Sequence, residues 1–176
     1  MKRLLLIFAV ILSLIPLNGQ SSSADTFDQQ SSAWPLDSFI NDSHTFYEEL
    51  KIFHDRNGNI SFEEVQKNDS LFSNNTTSEN FQADDVYWAK LILQGNCRIT
   101  ANYLFGFASI LKGQGWQYND TWLVREDSSI TQQQSGFGLS KQEKSIHSAT
   151  NLARFEIKQN EKVTLYVRYK GAMKDK

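Results

Sequence analysis

The sequence predicts an all-β domain, an antiparallel β-sandwich with a short helical or turn segment near its N-terminus. Three observations predict it. Two segments near the C-terminus, residues 152–158 and 163–169, alternate apolar and polar side chains at the period of a half-buried strand. Only the turn-forming Gln159-Asn160-Glu161-Lys162 separates them. Other short runs of β-branched and aromatic residues recur at regular spacing with polar turns between them, the pattern of a sandwich. Finally, 12 Phe, 6 Tyr and 4 Trp supply enough apolar bulk for a core.

The chain opens on a different kind of segment. Met1-Lys2-Arg3 precedes an apolar run from Leu4 to Leu17 and a polar exit at Asn18-Gly19-Gln20. A cationic start, a short apolar run and a small-residue exit are the parts of a secretory signal. The run is shorter than the roughly 18 residues that a membrane-spanning helix needs. Residues 1–20 are therefore expected to be a signal peptide, cleaved between Gly19 and Ala24. The rest of the chain is then exported, to the periplasm or the extracellular face of the membrane. Membrane association would rest only on an uncleaved signal or on a missing C-terminal region. Residues 21–33 are rich in Ser, Gln and Asp and poor in apolar residues, so they read as a disordered leader. The remaining 34–176 form one domain of ordinary size.

Within that domain, structure starts near Trp34-Pro35. Between 39 and 53, Phe46, Leu50 and Phe53 have helical spacing, but a strand through Leu50–Phe53 is the favoured reading. Ser61 to Lys67 reads as one or two helical turns. Ser61 is the N-cap, and Glu63 and Glu64 lie in the first turn, where the helix dipole favours anions. Residues 68–82 read as a polar loop anchored by Leu71, Phe72 and Phe81. Strands follow. Val86 to Leu93 is rich in β-formers and ends at Gly95-Asn96, residues 99–110 put Tyr103, Phe105 and Phe107 on one face, and Thr121 to Arg125 is short. Trp88 and Tyr166 are expected in the core, and Arg168, at a strand end, in a structural ion pair.

Charge and cysteine usage narrow the function. Removing Lys2 and Arg3 from 18 basic residues leaves 16 against 20 acidic, a net charge near −4. No basic stripe is visible, which argues against nucleic acid as a partner. The single cysteine, Cys97, rules out an intrachain disulfide, so the exported domain must rely on its core.

The sharpest local motif is Asp55-Arg56-Asn57-Gly58-Asn59-Ile60-Ser61-Phe62-Glu63-Glu64. Aligned with a calcium-binding EF loop, Asp55, Asn57, Gly58 and Glu64 take the third, fifth, sixth and twelfth positions. The first position falls on Phe53, which has no oxygen to offer. A tight turn is the better reading, because Asn57, Gly58 and Asn59 tolerate positive φ and Asp55 accepts turn N–H groups. No metal and no cofactor is expected. Catalysis has no motif behind it either. His44, His54 and His147 lack metal-ligand spacing, and neither an HExxH run nor a Gly-x-Ser-x-Gly elbow is present. Binding is better supported, since Trp116, Tyr118 and Trp122 lie among polar residues beside Gly113 and Gly115. Exposed rings stack on the apolar faces of sugars, and Asn119, Asp120 and Arg125 are at hand to bond hydroxyls. The candidate binding residues are Trp116, Tyr118, Trp122 and Arg125.

Several blocks, in order, resemble one known family. They are Ile52 to Val65, an acidic turn running into a Glu-Val helix; Val86-Tyr87-Trp88-Ala89-Lys90, a Tyr-Trp-x-Lys strand; the Gly turn Ser135-Gly136-Phe137-Gly138-Leu139-Ser140; and the closing strand Val163-Thr164-Leu165-Tyr166-Val167-Arg168. Together the stretch from Leu50 to Lys170 resembles the extracellular sensor region of bacterial seven-transmembrane receptors with diverse intracellular signalling modules, 7TMR-DISM extracellular domain 2. The resemblance implies a jelly-roll-like β-sandwich that senses small molecules, proposed to be carbohydrates, and passes the signal through membrane helices; the domain is expected to bind its ligand and to do no chemistry. This sequence carries neither the seven helices nor an output module. It is expected to be a fragment, a truncated product or a free-standing sensor, with room for a further strand after Lys176. The alternatives from other classes are a cell-surface adhesion or interaction module and a fragment of a glycan-active enzyme.

Overall fold

The computed structural model describes residues 4–7, 33–36, 49–74, 85–96, 100–106, 118–146 and 152–170. Readings that touch Phe46, Phe81, Cys97, Phe107, Trp116 or His147 fall outside them. The described elements, in chain order, are β1 (Leu4–Ile7), β2 (Trp34–Pro35), β3 (Lys51–Asp55), α1 (Phe62–Lys67), a 3-10 turn (Asp69–Leu71), β4 (Ser73–Asn74), β5 (Val86–Gln94), β6 (Ala101–Gly106), β7 (Tyr118–Arg125), β8 (Ile130–Ser135), β9 (Leu152–Ile157) and β10 (Lys162–Lys170). The protein is all-β, with one short helix.

Two sheets hold the strands. The smaller runs β1-β6-β9, and the larger runs β4-β3-β5-β10-β7-β8, with β2 alongside β5. The pairings within both sheets are antiparallel except for β1 on β6 and β2 on β5. Strand β1 lies within the apolar run read above as a signal, so cleavage there would take this strand away with it. The turn predicted at Gln159–Lys162 is present, but β9 and β10 on either side of it belong to different sheets. Arg125, near the end of β7, ties the turn down. It pairs with Glu161, and its Nη2 donates to the Glu156 carbonyl at 2.8 Å.

The alternation in each strand explains the packing. In β10, Val163, Leu165, Val167 and Tyr169 point between the sheets. They join Tyr87, Ala89, Leu91 and Leu93 of β5 and meet Tyr103, Phe105, Phe155 and Ile157 from the smaller sheet in one apolar cluster. This contact makes the fold sandwich-like.

The outer face of the larger sheet is also partly dry. Phe62 and Val65 of α1 cover Val86, Trp88 and Tyr166, with Phe53, Phe72 and Trp122 at the margin. Phe62 stacks on Trp122 at 4.8 Å, and Trp122 stacks on Trp88 at 5.3 Å. Strand β5 is thus apolar on both sides, and every residue from Val86 to Leu91 is buried. Trp88 and Tyr166 are core residues as predicted, but in this second cluster under the helix rather than between the sheets.

Candidate functional site

Beyond the edge of α1 the outer face turns polar. Register sets the order of the side chains there. Gln134 of β8, Asp120 of β7, Arg168 of β10 and Trp88 of β5 lie in one cross-strand row. Tyr118 and Lys170 form the next row. These side chains share a face because the intervening residues of β10 and β7, such as Val167, Tyr169 and Leu123, fill the inter-sheet core. Tyr118, Asp120, Gln134, Arg168 and Lys170, with Leu139 from the loop after β8 and the strand segments at Asn119 and Ser135, line a cleft of about 150 Å³.

Arg168 stands at the boundary of the two regions. Its Nη2 donates to the Gly58 carbonyl at 2.7 Å, and its guanidinium lies 5.6 Å from the Trp88 ring. The expected ion pair does not form. Among the described residues no carboxylate reaches it, because Asp120, its cross-strand neighbour, accepts instead from Gln134 Nε2 at 2.7 Å through Oδ1. Arg168 Nε is buried without a partner.

The strands beneath the cleft carry more unsatisfied groups on their inner face. Asn119 and Ser135 face each other across β7 and β8, are 1% and 2% exposed, and leave both amide atoms and the hydroxyl without a hydrogen-bond partner. An orphaned buried donor or acceptor costs about 1–3 kcal/mol, and these lie on the inter-sheet side, in register with Tyr169.

Of the four residues proposed from sequence, the three that are described do not share one site. Tyr118 lines the cleft. Trp122 is half-buried in the aromatic stack under α1. Arg125 sits seven positions from Tyr118, roughly 24 Å along the strand, in its ion pair with Glu161. Trp116 lies outside the described residues. Tyr118 to Asp120, read as part of a Gly-containing loop, are strand. Arg168, Lys170 and Gln134 were missed, although the outward phase of β10 carries both cations at period two.

The Asp55–Glu64 segment has local work to do. Asp55 is buried, and its oxygens accept from Gly58 N at 2.8 Å and Ile60 N at 3.0 Å. Asn57 is exposed in the turn. Glu64 accepts from Ser61 N at 2.8 Å while Ser61 Oγ accepts from Glu64 N, closing a capping box. The Ser61 backbone N–H first, and its hydroxyl second, hold the Glu64 carboxyl below its ordinary pKa. Among the described residues no three His, Cys, Asp or Glu side chains gather to hold a metal ion.

A family model, 7TMR-DISM extracellular 2, matches residues 48–174. The chain belongs to this family. It covers β3 to β10 and therefore both the outer aromatic cluster and the cleft. No curated protein matches the chain. As a 7TMR-DISM extracellular 2 domain it is the sensor part of a receptor and lies on the extracellular or periplasmic side of the membrane. Among its described residues no helix is long and apolar enough to cross a membrane.

Proposed function

We propose that this 7TMR-DISM extracellular 2 domain binds a small carbohydrate-like molecule in the cleft at Tyr118, Asp120, Gln134 and Arg168, and that it does so without chemistry. The observation that carries the reading is a cleft of about 150 Å³ on the outer face of the larger sheet, lined by the polar side chains of Tyr118, Asp120, Gln134, Arg168 and Lys170, with Arg168 Nε buried and unpartnered beside it. Donors and acceptors at fixed positions on a sheet suit hydroxyl groups, and the adjacent Tyr118 ring suits the apolar face of a sugar. The volume lies below the roughly 300–1,000 Å³ of drug-sized sites, so one ring is the natural occupant.

A glycan-cleaving role has less support. Glycoside hydrolysis normally takes two carboxylates flanking the bond. Among the residues lining the cleft Asp120 is the one carboxylate, and it is already hydrogen-bonded to Gln134. The interaction-module reading rests on Phe137 and Ile130, which are 59% and 47% exposed.

Thermal melting of the purified chain against a library of sugars and metabolites tests the proposal. A ligand specific for the folded form at one hundred times its dissociation constant adds about 2.7 kcal/mol. The expected result is a raised midpoint with one sugar class that Gln134→Ala and Asp120→Ala abolish. A cooperative melt that no library member moves sinks the binding reading, and a stable oligomer in light scattering of the same samples then favours association through the exposed apolar side chains.

A further inference from the structure

We infer that the cleft selects ligands that carry a carboxylate beside their hydroxyls, an acidic sugar rather than a neutral one. This rests on the binding reading above and adds the charge of the ligand to it.

The argument begins with the balance of charge. Arg168 and Lys170 are two positions apart on β10 and both line the cleft, while Asp120 is the single carboxylate among the lining residues. No ion pair occupies either cation among the described residues. Arg168 spends one nitrogen on a neutral carbonyl and its face on Trp88. That leaves a half-buried guanidinium with its Nε donor buried and unsatisfied. A charge in such a position is costly unless an opposite charge and good hydrogen bonds meet it. A carboxylate supplies both, because it accepts two parallel N–H bonds from a guanidinium in a geometry that hydroxyls do not match.

Asp120 does not serve as that partner. Its cross-strand position beside Arg168 would allow an ion pair, yet Gln134 Nε2 holds Oδ1 at 2.7 Å. The arrangement leaves the cation for the ligand and turns the Asp120–Gln134 pair into an acceptor and donor for hydroxyls. An anion-selective end and a hydroxyl-selective end thus lie in one cleft.

Matched pairs of probes separate this inference from the reading it rests on. D-glucuronate against D-glucose, and D-galacturonate against D-galactose, are titrated calorimetrically into the full chain. The expected result is that at least one acid binds at least about tenfold more tightly than its neutral partner, with Lys170→Gln and Arg168→Gln each removing most of that preference. Arg168→Gln also loses the Gly58 contact, so its fold is checked by melting; Lys170→Gln leaves that contact in place and carries the test if the other variant is unstable. Equal binding of acid and neutral sugar, or a library hit on a neutral or cationic compound alone, overturns the inference and leaves sugar binding standing. A preference for the acid that survives in folded Lys170→Gln and Arg168→Gln proteins overturns the assignment to these residues. No binding of any pair, with no library member moving the melt, overturns both.

Discussion

Gly95 ends β5 where the turn between β9 and β10 crosses it. A Cβ at this position would stand 2.3 Å from the Lys158 carbonyl oxygen and 3.1 Å from an Ile157 methyl. The nearer obstacle is backbone, and the Gly95 N–H is already bonded to the Glu161 carbonyl at 2.8 Å. Neither a rotamer change nor a local shift relieves that contact without loosening the turn. Gly95→Ala is therefore expected to cost about 2–4 kcal/mol, seen as a lower urea midpoint at unchanged m-value. A loss under about 0.5 kcal/mol would mean that the turn is free to move away. Gly58 differs in cause. Its φ is +67° and an added Cβ would meet a Val86 methyl at 3.1 Å, so the strain is mainly in the backbone. At this scale the sequence was partly transparent. Asp55 as a turn acceptor and Ser61 as a cap follow from residue type and spacing alone. The unused valences of Asn119 and Arg168 do not, because they depend on which strands stand beside them.

Helix α1 has six residues, too few to be stable by propensity. What holds it is the capping box at Ser61 and Glu64 and the burial of Phe62 and Val65 on the sheet. Ser61→Ala is expected to cost about 1 kcal/mol of domain stability. The folded-state pKa of Glu64 is depressed, so its contribution is present at pH values above the ordinary glutamate value of 4.5 and fades as pH falls through the folded value. Asp127, held down by its bonds from Ser129, and Glu143, by Ser140, act in the same sense. A urea midpoint that falls between about pH 5 and pH 3, less steeply in Glu64→Gln, checks this. Element by element, β5, β9, β10 and α1 were legible, since each shows either period-two alternation, a dense β-forming run or a cap. Strand β8 was not. Its inward positions are Thr131, Gln133 and Ser135 and its outward ones Ile130, Gln132 and Gln134, so no apolar phase announces it. The same polarity hid Gln134 as a site residue. The start of β7 was masked by Asn119 and Asp120, which favour turns when they stand alone.

The whole molecule buries the larger sheet on two sides, and its tyrosines report both. Burial first, and the Asp69 carboxylate second, push Tyr166 under α1 up to about 12 from the ordinary tyrosine value of 10.0, and burial alone raises Tyr169 between the sheets. The folded state keeps these protons after the unfolded state has lost them. Their contribution is complete below about pH 10 and is lost as pH climbs toward about 12. Urea midpoints are expected to decline over that window, and Tyr166→Phe to flatten part of the decline; an equal decline in the variant would assign the effect elsewhere. The strand order could not be read from one chain of residues, because nothing in β9 or β10 says that neighbours in sequence enter different sheets. The edges of those sheets carry a last consequence. Gln133 joins its side chain to the backbone of Arg154, receiving the Arg154 N–H at 2.9 Å, and Ser145 occupies both the N–H and the carbonyl of Gln134. An incoming β-strand from another molecule finds those backbone groups taken, so growth of an intermolecular sheet along β8 is blocked at Gln134 without any proline or charged guard.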